Sequence, residues 1–230
     1  MLARFQPNRS SRRNRIFLID DHPIVRQGLA LLINREVDLE ICGDAQGAQT
    51  ALTAMATTEP DLIILDISLN GPDGLDLLKT IRLKNRDVPV LVLSMHDEST
   101  YAERALRAGA NGYIMKQEAA EKILIAIRRI LRGEVYLSER LTNKMLQQIV
   151  RGSGKEKNSP VASLSDRELE VYRLIGSGHA TRQIADELHI SVKTVESYQA
   201  HIKTKLSLRS ARELVQHAVE WTVSEKAGTV

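Results

Sequence analysis

Four short apolar runs in this chain each stop at a residue that can do chemistry. Ile16-Phe17-Leu18-Ile19 ends at Asp20 and Asp21, Leu62-Ile63-Ile64-Leu65 at Asp66, Val90-Leu91-Val92-Leu93 at Ser94, and Gly112-Tyr113-Ile114-Met115 at Lys116. Clustered carboxylates repel one another and suit a hard divalent cation, Mg²⁺ or Mn²⁺. Such an ion takes oxygen ligands and leaves coordination positions for a phosphoryl group. Lys116 offers a compact positive charge for phosphate oxygens and Ser94 a hydrogen-bond donor. A carboxylate can itself be the nucleophile, forming an aspartyl-phosphate. Asp66, which closes the run expected to be the central strand, is the candidate nucleophile.

The elements must bring these residues together. Apolar runs this short, separated by helical stretches, read as buried strands of a parallel sheet. All strand C-termini of such a sheet share one edge, where ligands bind. Val25, Leu29 and Leu32 lie at helical spacing after Pro23, and further helices are expected at about 46–58, 73–84, 98–108 and 118–132. Gly109 and Gly133 read as C-terminal stops. Strand alternating with helix five times is a doubly wound α/β pattern. Asp73, after Pro72, reads as the cap of its helix. His22 and His96 flank the expected site, His22 as loop packing and His96 as a group that modulates water access.

With these residues on the page, 15 to about 135 resembles a bacterial response-regulator receiver domain, a flavodoxin-like (βα)5 fold. The family places an acidic pair after its first strand, a phospho-accepting Asp after the third, Ser/Thr after the fourth and Lys after the fifth. The resemblance therefore implies phosphorylation at Asp66, a metal site of Asp20, Asp21, Asp66 and Ser68, and a phosphoryl-binding and switching set of Ser94, Tyr113 and Lys116. Two departures stand out: Gln117 follows Lys116 where the family has Pro, leaving the isomer of that bond open, and Asn70 also occupies a usual Pro position.

Composition sets the frame. The chain has 230 residues, 43% hydrophobic and 27% charged, which fits two globular domains. No apolar stretch is long enough to span a bilayer, and the N-terminus lacks a signal-peptide core. The single cysteine, Cys42, excludes an internal disulfide and reads as a buried small side chain. Together these features imply the cytoplasm. The net charge of +3 is a tail effect: residues 1–15 hold five arginines and no acid, so the remainder is net −2. The tail, 1–14, reads as a disordered leader rather than a nucleic-acid or membrane contact.

Beyond 135 the pattern changes. A helix is expected at 138–151, then a flexible segment, so 136–162 reads as a linker. Residues 163–222 are helical throughout, and 223–230 reads as a disordered C-terminal tail. Ser165-Asp166-Arg167-Glu168 is a capping box. Thr181 is expected to cap a second helix, Ser191 a third from Val192 to about Leu206, and Ser210 to Trp221 forms a fourth. Helix, short helix, turn, helix is the pattern of a helix-turn-helix reader. The residues Leu164-Ser165, Arg167-Glu168, Ile184-Ala185, Leu188, Ile190-Ser191, Thr194-Val195 and Lys205-Leu206 resemble the LuxR-type DNA-binding domain. With the receiver, the resemblance covers nearly all of 15–222 and points to the NarL/FixJ-type response regulators.

On the third helix Val195, Ile202 and Leu206, with Tyr198 beside them, should face inward, and Lys193, Glu196, Ser197, Ala200 and Thr204 outward. Lys203, Lys205 and Arg209 flank the exposed face for phosphates. Thr181, Arg182 and Thr194 sit near helix N-termini, where backbone amides favour phosphate. From 192 to 212 the net charge is +4. The resemblance implies base contacts from Glu196, Ser197 and Ala200, and pairing of two copies through Leu214, Ala218 and Trp221. It also implies a sensor histidine kinase, double-stranded DNA with two-fold symmetric half-sites, a homodimer and RNA polymerase as partners, with no membrane.

Other functions compete. A haloacid-dehalogenase-type phosphatase or mutase needs a second acid two residues after its nucleophile, where this chain has Ser68. A flavodoxin-like cofactor binder needs a Ser/Thr/Gly phosphate loop after the first strand, where this chain has acids. A transcription factor whose receiver works as an unphosphorylated dimerisation module keeps the DNA domain; the intact acidic set disfavours it. On the leading reading the only catalysis is the chain's own phosphorylation and slow hydrolysis.

Overall fold

The computed structural model describes residues 12–69, 74–85, 87–95, 98–150 and 160–227. The basic stretch 1–11, the Asn70–Asp73 loop with its expected cap, His96, residues 151–159 of the expected linker and 228–230 lie outside the described residues. Two compact units divide the chain, Met1–Met145 and Leu146–Val230.

In the first unit, β1 (Asn14–Ile19), β2 (Leu39–Ala45), β3 (Leu62–Asp66), β4 (Val90–Ser94) and β5 (Gly112–Met115) form one parallel sheet in the order β2-β1-β3-β4-β5. The helices α1 (Pro23–Asn34), α2 (Ala48–Thr58), α3 (Gly74–Lys84), α4 (Glu98–Arg107) and α5 (Ala119–Leu131) connect and follow them. All five residues of β3 and of β4 are buried, as a sheet covered on both faces requires. Ile123, Ala126, Ile127 and Ile130 make the buried stripe of α5, spaced at 3.6 residues per turn. The register sets Ile19 beside Leu65, Asp66 beside Leu93 and Ser94 beside Met115, so the four reactive strand ends share one rim.

The opposite rim is held by a residue with no sequence signal. Arg82 of α3 donates to the carbonyls of Gly109 at 2.8 Å and Val88 at 2.6 Å, and to Asn111 Oδ1 at 3.0 Å. The same Asn111 oxygen accepts from the Val90 N–H. One guanidinium thus ties α3 to the starts of β4 and β5.

Residues expected to begin the linker belong to the first unit. Tyr136 pairs with Gly112 as a one-residue extension of the sheet, its N–H on Asn111 O and its carbonyl accepting from Tyr113 N–H, both at 3.0 Å. Leu141 of α6 (Glu139–Val150) is buried.

The second unit holds α7 (Asp166–Gly176), α8 (Thr181–Glu187), α9 (Val192–Lys205) and α10 (Ala211–Ala227). Ser165 makes its expected capping box with Glu168, and Ser191 Oγ accepts from Thr194 N–H at 3.1 Å. Thr181 is not the cap of α8. Ala180 holds that position, with its N–H satisfied by Gln183 Oε1 at 2.8 Å, and Thr181 is the first helical residue. α10 runs six residues past the expected end at Trp221.

Candidate functional site

Asp66, the last residue of the central strand, and Ser94 are fully buried, and Asp20 is nearly so. Lys116 follows β5 and reaches across: its Nζ lies 2.7 Å from Asp20 Oδ2 and 2.7 Å from Asp66 Oδ2. Burial raises the Asp66 carboxyl above its ordinary range, and Asp20 adds to this, while Lys116 offsets part of it. For Lys116 burial acts to lower the ammonium, but Asp66 and Asp20 outweigh it and raise the value. Two buried carboxylates therefore share one buried ammonium, with Asp21 beside them, an arrangement that wants more positive charge.

The residues present fit a hard cation. Asp20, Asp21, His22 and Asp66 each offer a ligand atom, and these atoms all lie within 4.8 Å of one another. Asp20 Oδ2 is buried and, despite the nearby ammonium, accepts no well-directed hydrogen bond. Ser68 donates its backbone N–H to Asp66 Oδ1 at 2.8 Å, and its buried Oγ has no hydrogen-bond partner among the described residues. Tyr113 is buried in β5, on the strand that delivers Lys116. Among the described residues there is no cis peptide bond, so the Lys116–Gln117 bond is trans.

Three further residues shape the site, two of them, Arg26 and Gly74, without having been singled out in the sequence. Arg26, one turn into α1, donates to the Asp20 carbonyl at 2.6 Å and to Asp44 Oδ2 at 2.9 Å, clamping the ends of β1 and β2. His22 is more than loop packing: its ring stands against the acidic pair, with Nδ1 2.7 Å from Asp21 Oδ1. Gly74 opens α3 against the nucleophile's backbone, and a Cβ there would stand 2.4 Å from Ile67 Cα and 2.6 Å from Asp66 O. Only glycine permits that approach. The one available signal was a Gly at a helix start eight residues after Asp66.

In the second unit the expected faces of α9 appear. Val195, Ile202 and Leu206 are buried, Tyr198 is half-buried, and Lys193, Glu196, Ser197, Ala200 and Thr204 are exposed. Arg182 is exposed at the start of α8, and Thr194 is half-buried with its Oγ1 2.7 Å from Ser191 Oγ. Thr181 Oγ1 accepts from Gln199 Nε2 at 3.3 Å, which ties α8 to α9. Lys205, expected to flank the exposed face, places its Nζ 2.6 Å from Glu168 Oε2. Burial acts to raise the Glu168 carboxyl, but Lys205 and the Ser165 hydrogen bonds hold it below its ordinary value. Lys205 thus pairs a buried acid within the unit.

The residues of the expected pairing face on α10 pack within the unit. Leu214 and Ala218 are 2% and 0% exposed, and Trp221 packs its ring 5.4 Å from that of Tyr172. Leu214 and Ala218 thus belong to the unit's own core, and half-buried Trp221 packs on α7. Large apolar residues exposed on the described part of α10 are Val215, Val219 and Val223, one turn apart.

Comparison with known proteins agrees with both halves. A family profile described as "Response regulator receiver domain" matches residues 16–128, and one described as "Bacterial regulatory proteins, luxR family" matches 162–218. The chain is 36% identical over 210 residues to the oxygen regulatory protein NreC of Staphylococcus carnosus, spanning 90% of this chain and 97% of that protein. A LuxR-family two-component response regulator from Aurantimonas superimposes with a TM-score of 0.56 at 33% identity, over 60% of this chain and 99% of that one. RcsB of Salmonella enterica serovar Typhimurium, solved on promoter rprA with the phosphomimetic BeF₃⁻, gives 0.57 at 23% identity over 90% and 99%, a likeness of fold. No helix of the described residues is long and apolar enough to cross a membrane.

Proposed function

We infer the working cycle of this protein from one premise: the chain belongs to the NarL/FixJ family of two-component response regulators, DNA-binding transcription regulators that join a receiver to a LuxR-type helix-turn-helix domain. In the proposed division, 15–135 is the receiver, 136–162 the linker and 163–222 the DNA-binding domain. The protein works in the cytoplasm, where a sensor histidine kinase supplies the phosphoryl group. An Asp66 carboxylate oxygen attacks phosphorus, the P–O bond forms as the bond to the donor breaks, and slow hydrolysis later restores the carboxylate. The observation that carries this reading is the Lys116 ammonium 2.7 Å from both Asp20 and Asp66 at the end of the central strand.

Mg²⁺ (or Mn²⁺), held by Asp20, Asp21, Asp66 and Ser68, would neutralise the carboxylates and offer a coordination position to a phosphoryl oxygen. Lys116 swings from the carboxylates to the phosphoryl oxygens, and the Ser94 hydroxyl donates to another. Tyr113, on the next strand, reads this movement out as a change of surface that favours pairing. Two copies then bind a two-fold symmetric site, pairing through the exposed Val215, Val219 and Val223 stripe, and act on RNA polymerase.

The test is covalent. With Mg²⁺ and acetyl phosphate or phosphoramidate, the wild type is expected to gain one phosphate in intact mass, and Asp66→Ala none. No adduct on the wild type with either donor would instead favour the unphosphorylated dimerisation module.

On DNA, Lys193, Thr194, Arg182, Thr181 and Lys203 contact phosphates, and Glu196, Ser197 and Ala200 face the bases, with Glu196 accepting from a cytosine amino group. Lys203→Ala is expected to weaken binding to all sequences and lower the salt slope by about one. Lys205→Ala is expected to leave the slope unchanged and destabilise the unit, because it strips the partner from buried Glu168. Binding isotherms across a salt series, beside urea unfolding, separate the two. A slope that falls for Lys205→Ala would return Lys205 to the phosphate set.

A further inference from the structure

One donor at the receiver site has no task in the phosphoryl-transfer cycle. His22 follows the acidic pair, with its side chain 56% exposed and Nδ1 2.7 Å from Asp21 Oδ1 and 3.3 Å from Asp20 Oδ1. Its backbone N–H donates to Asp20 Oδ1 at 2.8 Å, so the residue is held by main chain and its ring is available. Adjacent ligands of a six-coordinate ion with bonds of about 2.1 Å stand about 3 Å apart. Both imidazole spacings lie close to that edge. With one oxygen each from Asp20, Asp21 and Asp66, the nitrogen belongs to a set whose atoms all fall within 4.8 Å. Arg26, the guanidinium on α1, is directed at the Asp44 carboxylate and the Asp20 carbonyl, which leaves the acidic pair's carboxylates to other partners.

An imidazole changes what such a site selects. Mg²⁺ is hard, prefers oxygen and keeps its waters. Mixed nitrogen and oxygen sites favour the later first-row ions, whose affinities rise along the Irving–Williams order. We propose that His22 is a fourth metal ligand and that it lets this site take a late first-row transition ion, Co²⁺, Ni²⁺ or Zn²⁺, in competition with Mg²⁺. The proposal rests on the reading of Asp20, Asp21 and Asp66 as a cation site, and it makes His22 the residue that sets the site's preference among ions.

The test is a calorimetric titration of the full chain with Mg²⁺ alone, with Co²⁺ alone and with Co²⁺ against saturating Mg²⁺. The visible absorption of bound Co²⁺ is followed in parallel. Wild type, His22→Ala and Asp21→Asn are compared. The His22→Ala chain keeps the backbone N–H that Asp20 accepts from, so the acidic pair stays in place. The wild type is expected to bind a Co²⁺ that Mg²⁺ displaces, and Asp21→Asn to weaken both ions. His22→Ala is expected to lose about 10–100-fold in Co²⁺ affinity, to shift the Co²⁺ band and to leave Mg²⁺ affinity unchanged. Equal Co²⁺ affinity in wild type and His22→Ala overturns the proposal. So does an equal loss for both ions, which would make His22 a structural support, and so does bound Co²⁺ that Mg²⁺ cannot displace, which would place the ion on other histidines. A wild type that binds neither ion overturns the cation-site reading itself, a separate result.

Discussion

Lys116→Met is expected to lower the stability of the first unit by about 3–5 kcal/mol, the cost of removing one partner from a buried ion pair. The Lys116 side chain is 7% exposed, and its ammonium lies 2.7 Å from both Asp20 and Asp66. Without it two carboxylates remain buried with their attraction gone and their mutual repulsion intact. Burial already drives Asp66 toward its protonated form. Neutralising that residue in the double variant Lys116→Met/Asp66→Asn should therefore recover most of the loss, a coupling that two independent sites would not show. Saturating Mg²⁺ should also rescue the single variant, by about 2.7 kcal/mol at a hundredfold excess over the dissociation constant. Hydrogen exchange of β1 and β3 amides gives the readout for this unit alone. Unchanged exchange in Lys116→Met would mean that the ammonium offsets no more than its own desolvation.

Gly176→Ala is expected to be the most damaging small substitution in the second unit, at about 3 kcal/mol. Gly176 ends α7 where α10 crosses it. A Cβ would stand 2.1 Å from Thr222 Oγ1 and 2.4 Å from Ala218 O. Neither neighbour can swing aside: Ala218 presents backbone, and Thr222 is buried with its hydroxyl donated to that same carbonyl at 2.8 Å. Pushing the helices apart would also separate Tyr172 from His217 and Trp221. The expected signature is faster exchange of α7 and α10 amides and weaker binding to every DNA sequence, with the first unit untouched. Gly178→Ala is the control. That residue has φ +86° and open space around it, so alanine there meets backbone strain alone, about 1 kcal/mol. Equal effects at the two positions would show that close helix approach is not what Gly176 provides.

Much of this molecule could be read in the sequence because its rules are local. Short apolar runs that each stop at a polar residue and alternate with helical stretches read as buried strands, and parallel strands put their ends on one rim, which brings Asp20, Asp66, Ser94 and Lys116 together. Ser165 and Ser191 cap their helices because a side-chain oxygen three residues before an amide satisfies it whatever lies beyond. The same logic failed at Thr181, where Gln183 reaches back from inside the helix instead.

What the sequence by itself determined was the set of residues at the receiver site, the inward and outward faces of α9, and the family. Each depends on spacing along one segment. Tertiary structure alone decided which of two apolar faces on α10 meets the core, because Leu214–Ala218 and Val215–Val219–Val223 share the helical period and differ only in what lies opposite. It also decided that Lys205 pairs with Glu168, 37 residues away. It set His22 and Arg26 around the acidic pair, and tied Tyr136 to the edge of the sheet. Those outcomes turn on which groups face one another across the fold, and a one-dimensional pattern of charge and hydropathy holds no distance between them.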